Sequence, residues 1–175
     1  VNNNTDETDP FARLESTHRR LEQRIAELLE SLEALDDPKR SSEAIAIIEE
    51  TIGFFGRGGR RHVEDEEKTL FPRIRRFEEL GALLERLGSE HEAHQRIEDE
   101  LRAIADDLGG RMPDPEQKAR LAARSRDLAA LYAKHIAAEE QELFPACRRL
   151  LPPAEVEAMG AEMMARRPDR GKDKR

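Results

Sequence analysis

The sequence predicts an all-α fold, an up-down-up-down four-helix bundle with a short C-terminal fifth helix. Three observations carry that expectation. The composition is 39% charged and only 4% aromatic, with no Trp and a mean hydropathy of -0.81. Ala, Leu, Glu and Arg dominate, and runs of β-branched or aromatic residues that would mark strands are scarce. Apolar residues recur at spacings of three and four, the period of a helix with one buried face. Finally, Pro and Gly clusters cut the chain into four long segments with short connections, which makes successive helices antiparallel neighbours.

The elements follow in order. Residues 1–9 read as a disordered leader, and the Val start reads as a processed or trimmed terminus. Asp9-Pro10 opens the first helix, with Pro at a favoured early position. Phe11, Leu14, Leu21, Ile25, Leu28, Leu32 and Leu35 form its buried face, and Asp36-Asp37-Pro38 ends it. Ser41 or Ser42 is expected to cap a second helix carrying Ile45, Ile48, Ile52 and Phe55 and running to about Phe71-Pro72. Four glycines (Gly53, Gly56, Gly58, Gly59) interrupt it, each costing about 0.5–1 kcal/mol relative to Ala, so they require a reason. The third helix spans roughly 80–108 and stops at Gly109-Gly110. The fourth follows Pro113-Asp114-Pro115 and reaches about Leu150, before Pro152-Pro153. The bundle is thus placed at 10–151, a short helix at 152–166 and a disordered basic tail at 167–175. Arg166, Arg167, Arg170, Lys172, Lys174 and Arg175 read as a solvated terminus rather than a binding arm.

At 175 residues the chain is long enough for one domain with a sizeable core. The net charge of -8 is spread along the chain, which argues against a nucleic-acid partner. Cys147 is the sole cysteine, which fits a reducing cytoplasm and an ordinary small apolar side chain. No apolar run approaches the roughly 18 residues of a membrane helix, and no signal peptide is visible. The expected state is a cytoplasmic monomer or weak dimer.

The informative feature is an internal repeat. Residues 62–72 read HVEDEEKTLFP and residues 135–145 read HIAAEEQELFP. His, both Glu, Leu, Phe and Pro match at an offset of 73 residues, and the same offset carries His18 onto His91. Two hairpins should therefore pair about a pseudo-two-fold axis and bring four histidines to one level. A helix advances about 100° per residue, so His62 and Glu66 share a face, as do His135 and Glu139. Glu67 and Glu140 lie about 140° round and are expected to face solvent or a neighbouring helix. Facing buried carboxylates repel and are costly to bury, and cations remove both penalties. Four histidines around two carboxylates suit a pair of ions bridged by Glu66 and Glu139. Nitrogen and oxygen donors without a thiolate pair admit iron, manganese or zinc, with redox-competent iron the natural expectation. His94, three residues after His91, breaks the repeat because its counterpart is Leu21. It is a further ligand, a hydrogen-bonding neighbour of the ligands or simply exposed. Gly58 and Gly59 stand where the other half has Leu131 and Tyr132. The missing side chains either permit close helix packing or leave a recess filled by Tyr132, whose hydroxyl would then reach an oxygen species at the site. Leu70-Phe71-Pro72 and Leu143-Phe144-Pro145 read as core packing and helix termination.

The order His, His-x-x-x-Glu with Leu-Phe-Pro, Glu-His, and His-x-x-x-Glu with Leu-Phe-Pro resembles the hemerythrin-like (HHE cation-binding) family over about residues 11–150. The resemblance implies metal ligation by His18, His62, Glu66, His91, His135 and Glu139. It implies two non-haem Fe ions, bridged by carboxylate and by oxo or hydroxo groups, with Mn or Zn as alternatives. The oxygen-carrying members place two histidines at i, i+4 on the third helix and an aspartate at i+5 on the fourth. Here the pair is His91 and His94, and the last motif holds Glu139 and Glu140, so the wider HHE group fits better than an oxygen carrier. The implied function is to bind or sense O2, NO, peroxide or iron. The alternatives are an oxidoreductase consuming peroxide or NO, and an iron donor in the repair of metal centres. A ferritin-like site is disfavoured because only Glu15-Ser16-Thr17-His18 offers Glu-x-x-His.

Overall fold

The computed structural model describes residues 9–167. The leader before Asp9 and the basic residues Arg170, Lys172, Lys174 and Arg175 lie outside the described residues. All regular structure among the described residues is helical.

Helix α1 (Pro10–Ala34) starts where the Asp9-Pro10 pair predicts, with the Asp9 carboxylate accepting from Phe11 N–H at 3.0 Å. The second rod, 41–74, is assembled from α2 (Ser41–Phe54), α3 (Arg60–Asp65) and α4 (Phe71–Ile74). Single π-turns at Phe55–Gly59 and Glu66–Leu70 join these pieces. Helix α5 (Gly81–Leu108) follows a one-turn 3₁₀ segment and ends at Gly109, which takes the left-handed conformation that glycine tolerates best. The fourth rod joins α6 (Pro115–Ala138) to α7 (Phe144–Leu150) through a π-turn at Glu139–Leu143. Asp114 and Gln117 form a reciprocal capping box at its start. A fifth helix, α8 (Pro153–Ala165), closes the described chain.

Helix α1 packs against α2 and α6, and α5 packs against α2 and α6, the neighbour pattern of a four-rod bundle. Two apolar clusters fill it. One contains Leu21, Ile25, Phe55, Leu101, Leu128 and Tyr132, and the other contains Phe11, Leu14, Leu70, Leu87, Leu143 and Phe144. Between them lies a layer of buried histidine and glutamate.

Several local expectations change. Neither Ser41 nor Ser42 caps α2: the helix begins at Ser41 after Arg40, without a side-chain cap bond. A wound turn supplies the order instead, with Arg40 and Ser41 N–H both donating to the Asp37 carbonyl. Pro72 and Pro145 do not terminate their rods, which run on to Ile74 and Leu150. Interior proline clashes with the carbonyl four residues earlier. Each proline here follows a π-turn, in which Phe71 N–H reaches the Glu66 carbonyl and Phe144 N–H that of Glu139, and this shifts the register. Arg166 and Arg167 are docked rather than free in solvent. Arg166 Nη1 lies 2.7 Å and Arg167 Nη2 3.4 Å from the carboxylate of buried Asp65, and Arg166 also binds Thr69. With Met159 and Met163 fully buried, α8 is thereby fastened to the π-turn that carries Glu66.

Candidate metal centre

All six predicted ligands meet in the polar layer. His18 comes from α1, His62 from α3, His91 from α5 and His135 from α6, while Glu66 and Glu139 open their π-turns. The two π-turns occupy equivalent places in the repeat, since Glu66–Leu70 maps onto Glu139–Leu143 at the 73-residue offset. Both carboxylates are wholly inaccessible to solvent.

The donor atoms form two overlapping groups. His18, His62, Glu66 and Glu139 each offer an atom within 4.8 Å of the others, and Glu66, His91, His135 and Glu139 do the same. The glutamates belong to both groups and the histidines divide by hairpin. Across the first group, His18 Nε2 lies 3.0 Å from Glu139 Oε2 and 3.0 Å from His62 Nε2, while His62 Nε2 lies 2.9 Å from Glu66 Oε1. Across the second, His91 Nε2 lies 3.1 Å from Glu66 Oε2 and 3.2 Å from His135 Nε2, while His135 Nε2 lies 3.3 Å from Glu139 Oε1. No oxygen of Glu66 or Glu139 has a well-aligned hydrogen-bond donor among the described residues. The atoms converge on shared points rather than on each other. Donors about 2.1 Å from one ion and at right angles around it are about 3 Å apart, so the spacing fits cations.

Carboxylates behind the rings set their tautomers. His18 Nδ1 donates to Glu140 at 2.8 Å, His91 Nδ1 to Glu67 at 2.9 Å and His135 Nδ1 to Glu90 at 2.9 Å. An ionised carboxylate only accepts, so each Nδ1 carries a proton and Nε2 can turn a lone pair inward. Glu67 and Glu140 thus take the neighbouring-helix side of the sequence expectation, at equivalent places in the repeat. Glu90 went unrecognised as a partner in the sequence, although its position just before His91 was a usable signal. Phe144 stacks on His18 and Phe71 on His91, with ring centroids 5.7 Å apart in both cases. The Leu-Phe-Pro phenylalanines therefore hold histidine rings of the opposite hairpin, beyond general packing.

The electrostatics favour positive charge. Burial opposes protonation of His18, His91 and His135, yet neighbouring carboxylates hold His18 and His135 above the ordinary imidazole value and His91 at about 9. Burial would raise Glu66, but His62 and His91 reverse this and hold it well below the usual carboxylate range.

His94 is buried at the edge of this layer, outside both donor groups. Burial, with His135 and His91 nearby, pushes it down to about 3. Its ring stacks on Tyr132 at 4.2 Å and meets His135 edge-on at 4.8 Å. Tyr132, which one of the two sequence alternatives aims at the site, donates its hydroxyl to the buried Glu98 carboxylate at 2.7 Å. Burial raises Glu98, and burial together with Glu98 raises Tyr132 well above the ordinary phenol value. Only one of the two glycines in question faces this pair. A Cβ on Gly59 would lie 3.2 Å from the Tyr132 hydroxyl and 3.5 Å from Glu98, whereas one on Gly58 would strike the Phe54 ring of its own rod. Gly56 in turn makes room for the Arg102 guanidinium, which donates to the Ile52 carbonyl at 3.2 Å.

A helical bundle enclosing two histidine–carboxylate groups that share both carboxylates defines a class of protein built to hold cations in its core. The chain belongs to the hemerythrin HHE cation-binding domain family, whose model matches residues 9–147. No curated protein matches it. No helix among the described residues is long and apolar enough to cross a membrane.

Proposed function

We propose that this chain is a non-haem di-iron protein that binds or senses a small oxidant or diatomic molecule, namely O2, NO or peroxide, or iron itself. The observation that supports this most is the sharing of Glu66 and Glu139 between two groups of donors. One ion would be held by His18, His62 and the two glutamates, the other by His91, His135 and the same two glutamates. Nitrogen and oxygen donors in this number also suit manganese or zinc, and iron is preferred because a redox-active pair gives the burial a purpose. Bound there, such a pair would supply redox chemistry toward a small ligand. The chain's part is to orient the imidazoles through Glu140, Glu67 and Glu90, to stack them against Phe144 and Phe71, and to keep water out with an apolar cluster on each side.

A second reading, an oxidoreductase consuming peroxide or NO, is favoured by one specific observation. Tyr132, whose ring stacks on His94, donates its buried hydroxyl to the buried carboxyl of Glu98, and both groups lie outside the ligand set. Burial raises both groups, so the pair retains protons beside the site, which a pure binding protein does not require. Turnover assays on the iron-loaded chain separate the two. Stoichiometric binding of NO or O2 with no sustained consumption supports the sensor. Multiple turnovers of peroxide or NO that fall in Glu98→Gln support the enzyme and contradict the first reading.

A further inference from the structure

The two donor groups are related by the 73-residue repeat, but the hydrogen bonds behind their histidines are not. His18 and His91, an equivalent pair, are both backed by a carboxylate, Glu140 and Glu67. His62 and His135, the other equivalent pair, differ. His135 Nδ1 donates to Glu90, which is 8% exposed and is itself approached by Lys134 at 3.4 Å. His62 Nδ1 is buried and has no hydrogen-bond partner among the described residues. The position equivalent to Glu90 is Thr17, whose hydroxyl donates to the Arg13 carbonyl of its own helix.

A carboxylate behind a ligating imidazole fixes the ring's orientation and makes its inward nitrogen a stronger donor; removing such a partner commonly weakens metal binding by about 10–100-fold. One group therefore has both histidines backed, and the other only one. We propose that the position framed by His91 and His135 binds its cation more tightly than the position framed by His18 and His62, and that Glu90 is the positioning residue that sets the difference. The consequence is an ordered site, in which the His91–His135 position fills first and the His18–His62 position exchanges its ion. The inference rests on the two-cation reading above and assigns the two halves different roles within it.

Two ions that share bridging carboxylates influence one another, so the affinities are best read one position at a time in the full-length chain. His62→Ala leaves the His91–His135 position complete, and His135→Ala leaves the His18–His62 position complete. Each variant is titrated with Zn²⁺ alone, and separately with Mn²⁺ alone, against a competing chelator. The ion kept by His62→Ala should bind about 10–100-fold more tightly than the ion kept by His135→Ala. Adding Glu90→Ala to His62→Ala should remove most of that advantage, and Glu90→Gln, which keeps an acceptor without the charge, should remove part of it. His94 stands on the same side, and its contribution is the advantage that survives Glu90→Ala. Adding Thr17→Glu to His135→Ala supplies the missing carboxylate and should tighten the weaker position, a gain that general damage to the fold cannot produce. Equal affinities in the two single variants, or no response to Glu90→Ala and Thr17→Glu, overturn the inference while leaving two cations in place. Absence of stoichiometric binding by the unmutated chain overturns the two-cation reading and this inference with it.

Discussion

In the first hairpin, Leu21, Ile25 and Gly59 stand where the second hairpin, 73 residues on, carries His94, Glu98 and Tyr132. The same comparison made among the predicted ligands finds identity: His18 with His91, His62 with His135, Glu66 with Glu139, and even the supporting Glu67 with Glu140 and Phe71 with Phe144. The inner layer is thus symmetric and its surroundings are not. Gly59 shows how the difference is accommodated, because it makes room for the side chain at its own repeat position, with Leu21 completing the contact at 3.9 Å. Three buried polar residues that break the repeat, His94, Glu98 and Tyr132, come from the second hairpin.

The ligand symmetry is broken most severely at the shared residues. Glu139→Ala should weaken both positions, lowering the cation content from two to less than one per chain and removing the thermal stabilisation that saturating metal provides. That stabilisation is about 2.7 kcal/mol at a hundredfold excess over Kd. Retention of two tightly bound ions in dialysed Glu139→Ala protein, counted by elemental analysis, would contradict the shared-ligand assignment. His62→Ala and His135→Ala should each lose one ion and keep the other, a smaller effect that the same analysis counts.

Protons compete for the same nitrogens, and the sign is fixed by His91. Its folded value of about 9 exceeds the ordinary 6.5 because Glu66 and Glu67 outweigh burial. Its contribution to the stability of the metal-free chain is therefore whole below pH 6.5 and is lost as pH rises through about 9. A cation must displace that proton, so affinity rises over the same window. The gap in melting temperature between Zn²⁺-loaded and metal-free protein should widen between these pH values. A constant gap would mean that His91 is not displaced from its proton by metal.

The asymmetric surroundings give the smaller effects. Tyr132→Phe leaves the Glu98 carboxylate without its donor and should cost about 1–3 kcal/mol in denaturant unfolding, with the cation content unchanged. Smaller still is a pair of alanine substitutions. Gly88 in α5 has nothing within 4 Å of an added Cβ, so Gly88→Ala should stabilise the chain by about 0.5–1 kcal/mol. Gly59→Ala should forfeit that gain, because the Tyr132 hydroxyl held at Glu98 does not yield freely. Equal stabilisation by both would remove the packing explanation for Gly59.

The helices and the six residues that meet in the polar layer were legible because each rests on periodicity or on an exact repeat, both of which survive in one dimension. What escaped depended on local winding. Nothing in the run from Glu66 to Pro72 announces a π-turn, so Pro72 reads as a stop and Glu67 is placed only to within solvent or a neighbouring helix. The Ser41-Ser42 pair is a typical cap by composition, yet the backbone turn from Asp37 precedes it. Arg166 and Arg167 look like the start of a loose tail, because a buried Asp65 a hundred residues earlier is invisible to a local reading. Tyr132 was found through its asymmetry, but its hydroxyl's partner on α5 required the packing of two helices to be known.

The proposed site holds two irons between Glu66 and Glu139 in the core of the bundle. It is tested most directly by metal analysis and an optical spectrum of the full chain purified in air. Two irons per chain and the near-ultraviolet absorption of an oxygen-bridged ferric pair are expected. A colourless protein that carries zinc, a single ion or none would contradict it.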